Sequence, residues 1–216
     1  RPQETNELVE RIFGQALAVT IGRDAVIRPN TFLEGDTRIG KGCEVGPNVR
    51  ATDSTIGDGC RVQFAVLEGA TMGAGSDAGP FARLRPGTVL AEGVHVGTAV
   101  EIKGSTIGRG SKVPHLSYIG DADVGAGASF GCGSVVVNYD GLDKHRTRVE
   151  EKAFIGCNAN LIAPVTVEQN AFVAAGSTIT ESVPKDSLGV ARARQKNVEG
   201  WRLRPGKQKP GKHAKE

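Results

Sequence analysis

Aliphatic side chains recur along this sequence every six residues. They fall at Ile21, Ile27, Leu33, Ile39 and Val45, resume at Ile56 and Val62, and continue through Met72, Ala78, Leu84, Leu90, Val96 and Ile102. Five-residue steps then lead to Ile107, Val113 and Ile119, and to Val124, Phe130 and Val136, before a last set at Val149, Ile155, Leu161, Val167, Val173 and Ile179. Four residues after each aliphatic stands a small or modest side chain, such as Thr37, Cys43, Cys60, Ser76, Ser111, Ser134 or Ser177. The small residue and the next aliphatic are two apart, so in an extended strand both face the same side. The residue between them points outward, and the next three turn the chain. Three such units close a triangular coil of about eighteen residues, and stacked coils bury one continuous core. The pattern therefore predicts an all-β chain, a parallel β-helix of hexapeptide repeats. Glycine often follows the aliphatic, as in Ile39-Gly40 and Ile56-Gly57, and glycine at the corners is expected to supply positive φ. Between Val136 and Val149 a loop of about seven extra residues leaves the coil.

The same pattern divides the chain. Residues 1–18 hold Leu8, Ile12, Phe13 and Leu17 at helical spacing, which predicts a short amphipathic helix on the first coil. Residues 19–184 form the β-helix, Val183-Pro184 ends the repeats, and 185–201 form an arm ending at Trp201. Residues 202–216 carry six Lys/Arg against Glu216 alone, a basic tail that reads as a solvated terminus. The alternative is that some of its cations meet a phosphorylated ligand. The chain opens on Arg1 rather than Met, which suggests a processed or excised fragment.

Composition narrows the class. Thirty glycines in 216 residues and only 5% aromatics disfavour a helix bundle and favour many turns. No run approaches the roughly 20 apolar residues of a membrane span, and no secretory leader is visible, so a cytoplasmic, non-membrane protein is expected. Cys43, Cys60, Cys132 and Cys157 show no C-x-x-C spacing, which indicates neither zinc nor a disulfide scaffold. There is no phosphate-loop or dinucleotide fingerprint, and no nucleic-acid partner is expected.

Register places the candidate chemistry. Strands ending at Val113, Phe130, Ile155 and Val173 share a face, and two residues beyond each lie His115, Cys132, Cys157 and Ala175. These stack at roughly the 4.8 Å interstrand spacing. A histidine at the foot of a column of small residues makes a groove for a long, thin ligand with a titratable group at its end. Leu84 and Ile102 end equivalent strands one coil apart, and Arg85 and Lys103 follow them. Two stacked cations repel unless something anionic lies between, and a phosphate is the economical explanation, a solvated surface pair the plain one. Tyr118 should point outward between the two corners, and Asn138 and Tyr139 lie where the loop carrying Lys144 departs. Cys132 and Cys157 read as inert small residues rather than as a disulfide or a nucleophile, and Cys43 and Cys60 as core.

Several strings then become recognisable: G-P-F-A-R-L-R-P-G (79–87), V-E-I-K (100–103), H-L-S-Y-I-G-D-A (115–122), N-Y-D-G (138–141), A-P-V-T-V (163–167) and V-A-A-G-S-T-I-T (173–180). They resemble the acetyltransferase domain of the bifunctional GlmU enzymes, glucosamine-1-phosphate N-acetyltransferases and N-acetylglucosamine-1-phosphate uridylyltransferases, from about residue 19 to E-G-W at 199–201. The resemblance implies a left-handed β-helix, although the general crossover rule alone would predict the right hand. It implies a homotrimer with sites between subunits and acetyl transfer from acetyl-CoA to the amine of glucosamine 1-phosphate, with no metal needed and no uridylyltransferase half in this chain. By position, His115 looks like the general base. Arg85 and Lys103 resemble sugar-phosphate ligands, assisted by Tyr118 and Lys144. Asn138 and Tyr139 match positions near the acetyl group, while Cys132, Cys157 and Ala175 fall where the family lines its pantetheine channel. Arg192 matches a CoA-contacting arginine of the arm.

The chain departs from the family where N-I-G-A-G-T-I-T is replaced by S-F-G-C-G-S-V-V at 129–136. Ser129 stands for an asparagine that touches the sugar, and Cys132 for an alanine at the acetyl site, where its backbone N–H can still serve an oxyanion. Three rivals stay open: an acetyltransferase for another amino sugar or nucleotide sugar, a non-catalytic scaffold, and a β-helical carbonic anhydrase. The last needs three zinc-ligating histidines, and His95, His115 and His145 show no paired spacing.

Overall fold

Outward–inward alternation over two- to four-residue strands fixes the architecture. The computed structural model describes residues 18–201; the helix expected from Leu8, Ile12, Phe13 and Leu17 and the basic tail at 202–216 lie outside the described residues. Twenty-eight short strands form three parallel sheets of nine, ten and nine strands, among the described residues. The chain visits the sheets in rotation, so each strand pairs with the strand one coil later. Met72 registers with Leu90, and Leu90 with Ile107. Every change of coil thus returns an aliphatic to the same inward slot.

The slots form the core. Leu67, Leu84, Ile102, Ile107, Ile119 and Ile155 are fully buried, each contributing about 1.5–3 kcal/mol by burial. Ala51, six residues after Val45, and Leu67, reached from Val62 by a five-residue step, also fill inward slots. Ile21 and Ile27, by contrast, are 52% and 37% exposed, because the first coil has a described neighbour on one side only. The small slots are chosen for reach as well as size. Ser111 Oγ donates to the Gly125 carbonyl at 2.8 Å and accepts from Ala128 N–H at 3.1 Å, tying one coil to the next.

Glycine plays two parts at the corners, the expected positive φ being one of them. At Gly57, directly after an aliphatic, φ is not positive; a β-carbon there would fall 2.8 Å from the Met72 carbonyl oxygen of the next coil. Close stacking, not left-handed backbone, requires that glycine. Positive φ comes two residues later, as at Gly59 (67°), and also at Asn48 (55°) and even Phe81 (60°).

The repeat is interrupted once on the site-bearing side. Strand Val135–Val137 is followed by Thr147–Val149, and residues 138–146 leave the coil between them. At the far end Val183 bridges Val167, and strand Leu188–Gly189 pairs with Phe172–Val173. Parallel stacking therefore runs past Val183-Pro184 into the segment read as an arm, because Leu188 resumes an outward strand position.

Candidate functional site

The second sheet carries the column. Strand Lys112–His115 pairs with Ser129–Phe130, which pairs with Phe154–Ile155, which pairs with Phe172–Val173. Two residues beyond the inward aliphatics, His115, Cys132, Cys157 and Ala175 therefore occupy one corner of four successive coils. His115, Cys157 and Ala175 are exposed and Cys132 is half-buried. The Cys132 carbonyl accepts from Asn158 N–H at 2.8 Å, and no described residue takes up the Cys132 N–H. The corner is an edge of backbone and small side chains with an imidazole at its foot.

The third sheet carries the charges. Glu101 registers with Tyr118, Lys103 with Gly120, and the Arg85 N–H bonds the Ile102 carbonyl, which puts Arg85 over Lys103. The cations are not left to repel. Arg85 Nη1 donates to Glu101 Oε1 at 2.9 Å, and Lys103 Nζ lies 3.3 Å from both oxygens of Asp121. The inference of a bound anion from two bare cations is thereby weakened, since each already has a carboxylate. What restores it is the loop. Lys144 comes within hydrogen-bonding reach of Lys103, so three cations face two carboxylates. That contact, with Asp121 beside it, raises the Lys103 pKa, and the Lys103 ammonium depresses that of Lys144. Two amines in contact, one held below its ordinary range, mark a place that lacks negative charge.

Asp121 is the hub. It accepts from Asn138 Nδ2 at 2.6 Å as well as from Lys103, and its carbonyl accepts from Thr147 N–H. Gly120, its neighbour, carries no side chain, and the Tyr118 hydroxyl and the Asn138 amide lie over the space left open. Spacing does not point to Asp121 or Glu101, although both stand inside the strings Y-I-G-D and V-E-I-K. The signal that finds them is the outward position next to a stacked cation.

The remaining candidates are distributed. Tyr139 is exposed at the loop's root and donates its hydroxyl to the Gly141 carbonyl. Ser129 sits on the outward face of the second sheet, registering with Lys112, and so does not join the third-sheet strip within one chain. Arg192 follows Ala191, whose N–H bonds Ser177 Oγ and whose carbonyl accepts from Thr178, placing the arginine near the Ala175 end of the column. His95 and His145 do not converge on His115. They pair with Asp77 at 2.7 Å and Asp140 at 2.6 Å, and no group of three or more metal-ligating side chains is found among the described residues. An apolar cavity of about 600 Å³ lined by Phe32, Phe64, Val66 and Phe81 opens over the first coils and includes none of the candidate residues. Cys43 and Cys60 are buried as expected of core residues.

Known proteins provide an independent comparison. The family described as GMPPB C-terminal domain matches residues 16–118. The bifunctional protein GlmU of Caldanaerobacter subterraneus subsp. tengcongensis is 53% identical over 183 residues, 85% of this chain and 40% of the relative. That of Carboxydothermus hydrogenoformans is 55% identical over 183 residues, covering 85% and 41%. That of Methylococcus capsulatus is 55% identical over 185 residues, covering 85% and 40%. The chain thus spans about 40% of the length of the curated relatives it matches. In fold it is similar to the UDP-N-acetylglucosamine acyltransferase of Francisella novicida, with a TM-score of 0.54 at 16% identity, over 81% of this chain and 65% of that one.

Proposed function

We propose, from the premise that this chain is homologous to the acetyltransferase domain of GlmU and has the hexapeptide-repeat acyltransferase fold, that it transfers acetyl from acetyl-CoA to the amine of glucosamine 1-phosphate in the cytoplasm. The observation that carries this reading is the gathering of Arg85, Lys103, Lys144, Tyr118 and Asn138 about the Glu101 and Asp121 carboxylates, one corner from His115. The cations take the phosphate, Tyr118 and Asn138 orient the sugar and the acetyl group, and the column from Cys132 through Cys157 to Ala175 takes the pantetheine arm. Tyr139 borders the acetyl group and Arg192 meets the far end of CoA.

The reaction needs no acyl-enzyme. His115 removes a proton from the amine as its nitrogen attacks the thioester carbonyl. A C–N bond forms, the carbonyl oxygen gains charge, and the Cys132 N–H stabilises it. The C–S bond then breaks, and the proton held by His115 passes to the departing thiolate of CoA. Ser129 faces away from the strip in its own chain, which supports a homotrimer whose sites combine the third sheet of one subunit with the second sheet of its neighbour.

The test is thiol release on mixing the protein with acetyl-CoA and glucosamine 1-phosphate. Release that depends on both substrates is expected, and none at all would end the proposal. Sedimentation showing a fully active monomer would remove the composite site. Ser129, smaller than the family's asparagine, favours one second reading, a different amino-sugar phosphate as acceptor. A panel of such acceptors, compared by kcat/KM, decides between them.

A further inference from the structure

The loop at 138–146 has no hydrophobic anchor. Leu142 at its tip is 89% exposed, so polar bonds must give the loop its shape. Its exit is pinned by Arg146, whose Nε donates to Asp123 at 2.8 Å and whose Nη1 donates to the Gly104 carbonyl at 3.2 Å. Its root is pinned by Asn138, held on Asp121. Inside, Tyr139 and Lys144 bridge as antiparallel partners, and His145 N–H donates to the Asn138 carbonyl at 2.8 Å. Asp140 organises the tip. One carboxylate oxygen accepts from Leu142 N–H at 2.8 Å and Asp143 N–H at 2.7 Å, and the other faces His145 Nε2 at 2.6 Å. A carboxylate only accepts, so Nε2 carries the proton and donates. The imidazole bond and the two amides hold the Asp140 carboxyl well below the usual carboxylate range.

These bonds close a ring of six residues, and Lys144 lies within it, adjacent to the residue that closes it. We infer that the Asp140–His145 pair is a clamp that aims Lys144 at Lys103, so that His145 is a positioning residue for the anionic end of the acceptor. Without the clamp, the tip keeps its backbone turn and the Asp140 bonds to Leu142 and Asp143 N–H, but nothing ties that turn to the residue next to Lys144. Lys144 then samples many rotamers, and ordering it again on binding costs affinity. The clamp touches neither His115 nor the pantetheine column, so its loss acts on acceptor binding and not on the chemical step. This rests on the reading of Arg85, Lys103 and Lys144 as the phosphate site.

The experiment is steady-state kinetics of the full chain with acetyl-CoA and glucosamine 1-phosphate, comparing wild type, His145→Leu, His145→Gln, Lys144→Ala and the double variant His145→Leu/Lys144→Ala. Thermal melts confirm that each is folded. His145→Leu is expected to raise the acceptor KM about tenfold, with kcat and the acetyl-CoA KM within about twofold of wild type. His145→Gln, which keeps a donor of similar reach, should recover most of the loss. In the Lys144→Ala background, adding His145→Leu should change nothing further, because the clamp acts through that lysine. An unchanged acceptor KM in His145→Leu, beside an active wild type, overturns the clamp alone. A full tenfold effect persisting without Lys144 also overturns it. A wild type that releases no thiol overturns the acceptor reading, and the clamp's role with it.

Discussion

The Tyr118 hydroxyl occupies space that a β-carbon on Gly120 would enter: the two would lie 2.5 Å apart, and the Asn138 amide nitrogen 2.8 Å away. Gly120 registers with Lys103, so the bare backbone lets a phenol and a carboxamide lie across the strip beside the cation. The threatened contacts are side-chain ends, not backbone. Gly120→Ala should therefore displace Tyr118 and Asn138 without unfolding the coil. We expect the acceptor KM to rise about tenfold and the melting temperature to fall by only a few degrees. Wild-type kinetics in this variant would show that the acceptor does not use those two groups.

The base and the phosphate ligands should separate in kinetics. His115→Ala is expected to lower kcat by about 10²–10⁴, with the acceptor KM little changed. Arg85→Ala should mainly raise the acceptor KM, and by more than the loss of one contact. It leaves the Glu101 carboxylate, formerly 2.9 Å from the guanidinium, facing the incoming phosphate. Removing that carboxylate too, in Arg85→Ala/Glu101→Ala, should recover part of the loss. No recovery would place the phosphate away from Glu101.

How far the site could be read from sequence follows from what a repeat encodes. The hexad phase alone put Arg85 above Lys103 and His115 below Cys132, because inward aliphatics fix where every outward residue points. Phase does not reveal the carboxylates, because it gives a residue's side of the wall, not how far its side chain reaches. Glu101 reaches Arg85 and Asp121 reaches Lys103 from neighbouring outward or corner positions. The Asp140–His145 pair lies in a loop without period, so spacing carried no information there. Glycine's second part is hidden for a related reason: the pattern marks where it recurs, but only stacked coils show that Gly57 yields to the Met72 carbonyl.

Thiol chemistry should distinguish the two pairs of cysteines. Burial pushes the Cys60 thiol up to about 11, and its Sγ lies 3.1 Å from the Gly73 carbonyl oxygen. Cys43 is equally buried, whereas Cys157 is exposed and Cys132 half-buried at the pantetheine column. Under native conditions an alkylating reagent should label Cys157 first and Cys132 next, leaving Cys43 and Cys60 unmodified until the protein unfolds. Acetyl-CoA should protect the reactive pair, read by peptide mass spectrometry. Labelling of Cys157 at the same rate with and without acetyl-CoA would move the pantetheine arm off this column.

The lysine pair gives the site a pH dependence of definite sign. Lys103, in contact with Lys144 and paired with Asp121, keeps its proton above the ordinary lysine range, and it depresses the pKa of Lys144. Lys144 therefore loses its charge at a pH below the usual value of about 10.4, while Lys103 retains its own. An anion between the two binds more tightly when both are charged, so binding takes up a proton on the alkaline side and affinity falls as pH rises. The measurement is calorimetry with N-acetylglucosamine 1-phosphate, which lacks a titrating amine and is fully ionised above about pH 7, where phosphate monoesters have passed their second pKa near 6. We expect affinity to drop several-fold between about pH 8 and pH 10 in wild type. Lys144→Arg, whose guanidinium stays charged across that range, should flatten the decline. A wild-type profile flat to pH 10 would mean that Lys144 does not share the anion with Lys103.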